Sequence, residues 1–192
     1  GLELGVNKQI AQELFPQLMG EGPLIGIAPG AAFGPSKRWM PEAFASVVNQ
    51  IAATLPARFT LLTGPGEDAL REIVKANAEI DFIEPGVSQT GLSVLKATIA
   101  KLDLLICNDS GPRHIAVAFK RPVVCIMGPT SPRYTDSPYE IGQILRVPLE
   151  CSPCQKPVCP LEHHRCMREI TPEQVTDAAL QILQSNLRPK KD

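Results

Sequence analysis

The sequence has no apolar run close to the roughly 18 residues that a membrane-spanning helix requires, and no secretory signal at its start. It has no basic excess either. Lys and Arg number 19 against 20 Asp and Glu, a formal net charge of −1, and a nucleic-acid-binding chain normally carries a positive surplus to meet phosphates. Both common phosphate fingerprints are missing. No G-x-x-x-x-G-K-[ST] occurs, which excludes a P-loop, and no G-x-G-x-x-G, which argues against a standard dinucleotide site. Internal repeats and low-complexity tracts are absent. The first residue is Gly1 rather than Met, as expected of a piece of a longer protein. What remains is ordinary globular material: 192 residues, 44% apolar and 20% charged. A chain of this size buries about 70% of the surface its unfolded form exposes and needs no staple to fold.

Short apolar runs alternate with helical patterns. Residues 24–28, 58–63, 81–84, 102–108 and 122–127 read as strands. Between them, residues 41–54, 67–76, 92–100 and 111–119 read as helices. In the first of these helices Pro41 sits at a favoured N1 position, with Phe44, Val47, Val48 and Ile51 on one face. Strands joined by helical crossovers imply an α/β fold, a parallel sheet covered on both faces. A separate leading helix is expected over residues 7–18. Residues 128–160, rich in Pro, Ser and Cys, are expected to be largely loop, with one short strand near 144–147. Thr171 and Gln174 make a capping box that opens a last helix running to about Leu187.

Ligands of open parallel sheets lie beyond the carboxyl ends of the strands, so three loops matter. Residues 29–39 combine small Gly30, Ala31, Ala32 and Gly34 with Lys37, a point charge for a phosphate. The plain alternative is an ordinary surface lysine. Residues 63–68 place Glu67 where a carboxylate accepts hydrogen bonds from ribose hydroxyls; alternatively Glu67 or Asp68 caps the next helix. Residues 108–114 (Asn-Asp-Ser-Gly-Pro-Arg-His) interrupt an apolar strand–helix unit with a polar cluster. There Gly111 and the helix start make an anion site, and Asp109 is expected to face a sugar hydroxyl or a developing charge. The alternative is a capping Asp109 and a packed His114.

Of six cysteines, Cys107 and Cys125 fall in buried strands and behave as small apolar residues. Cys151, Cys154, Cys159 and Cys166 cluster with His163 and His164. Thiolates and imidazoles suit zinc, but the spacing lacks the separator of about 12–20 residues found in common zinc modules. The expectation is that zinc is not needed for folding and that the cluster sits on a surface loop.

Four stretches carry a family resemblance: Lys37-Arg38-Trp39-Met40-Pro41-Glu42-Ala43-Phe44, Thr63-Gly64-Pro65-Gly66-Glu67, Asn108-Asp109-Ser110-Gly111-Pro112-Arg113-His114-Ile115-Ala116 and Gly128-Pro129-Thr130-Ser131-Pro132. In this order they resemble the C-terminal half of the ADP-heptose:lipopolysaccharide heptosyltransferases, glycosyltransferase family 9. Cys151-Ser152-Pro153-Cys154 and the stretch from Cys159 to Met167 are similar to the heptosyltransferase II branch.

The resemblance implies a Rossmann-like doubly wound sheet, the C-terminal domain of a two-domain GT-B enzyme with inverting chemistry. By that reading, residues 1–22 are a leading helix and linker, 23–187 a nucleotide-sugar-binding domain and 188–192 a frayed tail. Lys37 meets the diphosphate or sugar and Glu67 the adenosine ribose. Asp109, Ser110 and Gly111 hold the phosphates and heptose, with His114 beside them. The family often carries hydroxyl residues where this chain has Ala31, Ala32 and Phe33, which leaves phosphate contacts there to the backbone. The family's catalytic Asp lies in an N-terminal domain, so no catalytic residue, metal or other cofactor is expected in this chain, and the chain alone is expected to be inactive. The implied partners are an ADP-heptose donor and, through that further domain, the lipopolysaccharide core. The implied location is the cytoplasm, with peripheral contact at the inner face of the inner membrane. The alternative is a nucleotide-binding or zinc-bearing interaction module without transferase activity.

Overall fold

A computed structural model describes residues 5–84, 86, 91–135 and 137–187. Five parallel strands form one sheet: β1 (Leu24–Ala28), β2 (Arg58–Leu61), β3 (Leu104–Asn108), β4 (Val123–Ile126) and β5 (Gly142–Leu145), in the order β2-β1-β3-β4-β5. Every residue of β1, β3 and β4 is buried, as expected of parallel strands covered on both faces.

Alternation along the strands divides the core in two. Ile25 and Ile27 of β1, Leu104 and Ile106 of β3, and Val124 and Ile126 of β4 point to one face. There they meet α2 (Pro41–Thr54), through Phe44, Val47, Val48 and Ile51, and α8 (Pro172–Leu187), through Val175, Ala178, Ala179 and Leu183. Leu24, Ala28, Leu105, Cys107, Val123 and Cys125 point to the other. They pack on α1 (Lys8–Leu18), α4 (Leu92–Ile99) and α5 (Gly111–Ala118), so Ile10, Leu14 and Leu18 tie the leading helix to the sheet. The remaining helices are α3 (Asp68–Asn77), packed on α2, and the four-residue α6 (Pro132–Thr135) and α7 (Arg165–Arg168).

Local chemistry fixes the ends of these elements. Asn7 accepts hydrogen bonds from the amides of Gln9 and Ile10 at the start of α1. Ahead of α8, Thr171 N–H donates to Gln174 Oε1 and Gln174 N–H to Thr171 Oγ1, the reciprocal capping box.

One expected strand is corrected. Residues 81–84 form no ladder. Ile83 N–H donates to the Phe59 carbonyl at 2.7 Å and Thr60 Oγ1 to the Ile83 carbonyl at 3.0 Å, so the segment runs beside β2 without joining the sheet. Asp81 and Glu84 are exposed, and no alternating apolar face exists there to pull a sixth strand in. Among the described residues no helix is long and apolar enough to cross a membrane.

Candidate functional site

The strand order reverses between β1 and β3. Connections leaving these neighbouring strands diverge to opposite faces, which opens a crevice at their carboxyl ends. The loops after β1 (residues 29–40) and β3 (residues 109–111) meet there, Lys37 of the first bonding Asp109 of the second.

The first loop is held on both sides of Lys37. Gly34 has φ of 152°, and a Cβ there would lie 2.4 Å from the Pro157 carbonyl oxygen, so only glycine suits the position. Ser36 N–H donates to that same carbonyl at 3.0 Å, and Ser36 Oγ donates to the Lys156 carbonyl. On the far side Trp39 is fully buried, its indole N–H bonded to the Ile170 carbonyl at 3.0 Å and its ring edge-on to Phe44 at 5.0 Å. Buried Asn108 at the end of β3 accepts from the Trp39 amide at 3.1 Å and donates to the Pro29 carbonyl at 2.7 Å. The single-turn 3₁₀ segment Pro35–Lys37 is therefore fixed to its neighbours, and Lys37 projects from a rigid base.

Lys37 Nζ donates to Asp109 Oδ2 at 2.8 Å and to the Asp109 carbonyl at 3.0 Å, and lies 5.1 Å from the centre of the Phe33 ring. Asp109 is 2% exposed and Lys37 12%. Thr130 Oγ1 donates to the same Oδ2 at 2.7 Å, while Arg113 donates to Oδ1 at 2.8 Å. Arg113 is fully buried in the first turn of α5. It also donates to Thr135 Oγ1 at 2.9 Å and, through two nitrogens, to the Glu140 carboxylate at 2.8 and 2.6 Å. Burial pushes the Asp109 carboxyl up. Hydrogen bonds from Lys37 and Thr130, and the Lys37 charge, outweigh it and hold the group below its ordinary value. Burial likewise opposes the charge on Arg113, but its bonds to Glu140 raise it on balance.

The other expected residues fall around this pair. Ser110 and exposed Gly111 open α5, whose N-terminus carries the positive end of the helix dipole. The Ser110 hydroxyl turns back to the Asn108 carbonyl at 3.3 Å. His114 is exposed on α5 and takes no part in the charged network. The Glu67 carboxylate accepts from the Gly64 amide at 2.7 Å. It lies flat against the α-carbon of Gly30: a Cβ there would be 2.0 Å from its nearest oxygen. Lys37, Asp109, Ser110 and Gly111 thus form one group. Glu67 joins the rim through Gly30, and His114 stands outside it.

Asp109, expected at a sugar hydroxyl or developing charge, here has both oxygens engaged inside the protein and orients Lys37. Arg113, Thr130 and Glu140 were not singled out from sequence. The spacing of Asp109 and Arg113, four apart at a helix start, is a readable signal for an ion pair. Glu140, 27 residues away, leaves none.

The cysteine-rich segment lies against the Lys37 turn. Besides the Pro157 and Lys156 carbonyls, the His164 ring bonds the Ser36 carbonyl at 2.7 Å. Its other end is tied below β4: Ser152 Oγ donates to the Gly128 carbonyl and Gln155 N–H to the Pro129 carbonyl. All six cysteines are free thiols, and Cys151 Sγ lies 3.9 Å from His163 Nε2. Burial and the nearby Cys154, Cys159 and Cys151 push the Cys166 thiol up to about 11. Among the described residues no three His, Cys, Asp or Glu side chains are placed to hold a metal ion. Cavities of about 230 Å³ between β5 and α8, and of about 550 Å³ along residues 146–153, are lined by neither Lys37 nor Asp109.

Comparison with known proteins agrees with this fold. The model of glycosyltransferase family 9 (heptosyltransferase) matches residues 2–165. The lipooligosaccharide heptosyltransferase 2 of Campylobacter jejuni subsp. jejuni serotype O:2 is 34% identical over 169 residues, covering 85% of this chain and 52% of that protein. For the lipopolysaccharide heptosyltransferase 2 of Escherichia coli K12 the figures are 31%, 83% and 47%. Among solved structures, ADP-heptose lps heptosyltransferase II of E. coli superposes with a TM-score of 0.75 at 25% identity, over 97% of this chain and 54% of that one. The glycosyl transferase family 9 protein of Veillonella parvula superposes with a TM-score of 0.78 at 24% identity, over 96% and 54%. The chain spans about half the length of the relatives it matches. It belongs to glycosyltransferase family 9, the heptosyltransferases.

Proposed function

We propose that this chain is the donor-binding half of an inverting heptosyltransferase that moves heptose from an ADP-heptose donor to the lipopolysaccharide inner core. The observation that carries the reading is the Lys37–Asp109 pair at the β1/β3 crevice: a partly exposed ammonium on a rigid base, beside the open N-terminus of α5. A nucleoside diphosphate fits it. The diphosphate takes Lys37 and the backbone N–H groups of the α5 start, and Glu67, across Gly30, takes the ribose hydroxyls. As the glycosidic carbon leaves the donor, negative charge grows on the diphosphate, and a fixed ammonium and helix dipole stabilise it without rearrangement. The base that deprotonates the acceptor belongs to a further domain, by this reading, so the chain alone transfers no sugar. The enzyme works in the cytoplasm, with peripheral contact at the inner face of the inner membrane, where its acceptor is. The donor-binding unit proposed is residues 23–187, with the leading helix packed on its sheet; the tail expected over residues 188–192 lies outside the described residues.

Titration of the 192-residue protein with ADP and AMP tests this. Lys37→Ala weakens ADP more than AMP, because the second phosphate is the group Lys37 meets. Equal loss for both nucleotides contradicts the assignment.

A further inference from the structure

Lys37 is committed to Asp109, yet the donor reading asks it to serve a phosphate. Asp109 is almost wholly enclosed, and a buried carboxylate stripped of its counter-charge takes up a proton or becomes a severe penalty. Its second cation resolves the conflict. Arg113 is fully buried, holds Oδ1 while Lys37 holds Oδ2, and cannot reach solvent. Four donations anchor it: one to Asp109, one to Thr135 and two to Glu140. The planar guanidinium fills this fork in a way no ammonium can. The four charges Lys37, Asp109, Arg113 and Glu140 sum to zero.

Resting on the donor-site reading above, we propose that Arg113, braced by Glu140, is a positioning residue. It keeps Asp109 ionised and in place, so that Lys37 can be handed from Asp109 to the donor's diphosphate. Arg113 touches no donor atom. Its effect reaches the phosphate through Asp109 and Lys37, and through the first turn of α5, which it pins from below.

Calorimetric titration of the 192-residue protein with ADP and AMP at pH 7, in buffers of different ionisation heat, tests the proposal on Arg113→Met and Glu140→Gln. Arg113→Met weakens ADP by about tenfold or more and AMP by clearly less. It also takes up extra protons on binding ADP relative to wild type, because Asp109 loses its last cation when Lys37 leaves. Glu140→Gln acts in the opposite direction. Asp109 is then the one charged partner of Arg113, the cluster gains a net positive charge, and ADP binds tighter by roughly threefold, with no extra proton uptake. A merely structural role for Arg113 and Glu140 weakens ADP in both variants and moves no protons, and that result overturns the proposal. So does a pair of variants that bind as wild type. If Arg113→Met does not melt cooperatively, the sign of the Glu140→Gln change decides alone. A wild-type protein that binds no ADP overturns the donor-site reading itself, and the proposal with it, whatever the variants do.

Discussion

Replacing Asp109 by Asn keeps the shape of the site and removes one charge from a line of four, of which Asp109 and Arg113 are buried. The side chain accepts from Lys37, Arg113 and Thr130. Hydrogen bonds to charged groups contribute about 1.5–3 kcal/mol each, so the two that pair Asp109 with a cation represent roughly 3–6 kcal/mol before offsets. Two offsets apply. The buried carboxylate no longer has to be desolvated, and neither cation is stranded: Lys37 turns to solvent and Arg113 keeps Glu140. A net loss of about 2–3 kcal/mol follows. In a protein of this size each kcal/mol moves the melting temperature by about 2–4 °C, which gives a drop of roughly 4–12 °C. Arg113→Met strands Glu140 and should cost more, about 3–5 kcal/mol. The pH dependence has a definite sign. A carboxyl held below its ordinary value contributes its full stability above that value, near 3.8, and loses it as the pH falls further. The gap between wild type and Asp109→Asn should therefore be constant from pH 8 to 5 and close in stronger acid. Scanning calorimetry across that range is the assay. A variant that melts within about 1 °C of wild type at neutral pH, or a gap that widens in acid, refutes the network as drawn.

Other expectations follow from the same contacts. Gly30→Ala drives a methyl group into the Glu67 carboxylate, which is the movable end of a side chain; stability should change little, while ADP and adenosine affinity fall together, and unchanged titrations would remove Glu67 from the site. The Cys166 thiol, pushed up to about 11, stays protonated in the folded chain while an unfolded thiol ionises near 9. Urea-unfolding stability should therefore decline from pH 9 toward 11, less steeply in Cys166→Ala, and a rise with pH would contradict it. Thermal melts with and without a strong chelator should coincide. About one zinc per chain, with loss of the main transition on chelation, would show that the cysteine loop is a folding site.

Much of this architecture is legible in residue order. The apolar runs of β1, β3 and β4, and the helix over residues 41–54, have strong patterns with Pro41 at the start. The Thr171–Gln174 capping box forms as its spacing implies. Residues 81–84 mislead because a short apolar pair beside an edge strand looks like a strand, while only one backbone–backbone bond joins the segment to β2. The four-residue helices α6 and α7 are too short to show a period. In the site, Lys37, Glu67 and Asp109 are recognisable because each follows a strand. The strap from Pro157 to Ser36, and the Glu140 brace under Arg113, join residues far apart in the chain and depend on how loops pack, which no local pattern encodes.

Titration of the 192-residue protein with ADP and, in parallel, with NAD bears most directly on the donor reading. The account predicts measurable binding of ADP, weakened by Lys37→Ala, and weaker binding of NAD, because the loop after β1 lacks the glycine spacing of a dinucleotide site. Tighter binding of NAD than of ADP, or ADP binding indifferent to Lys37, would contradict it.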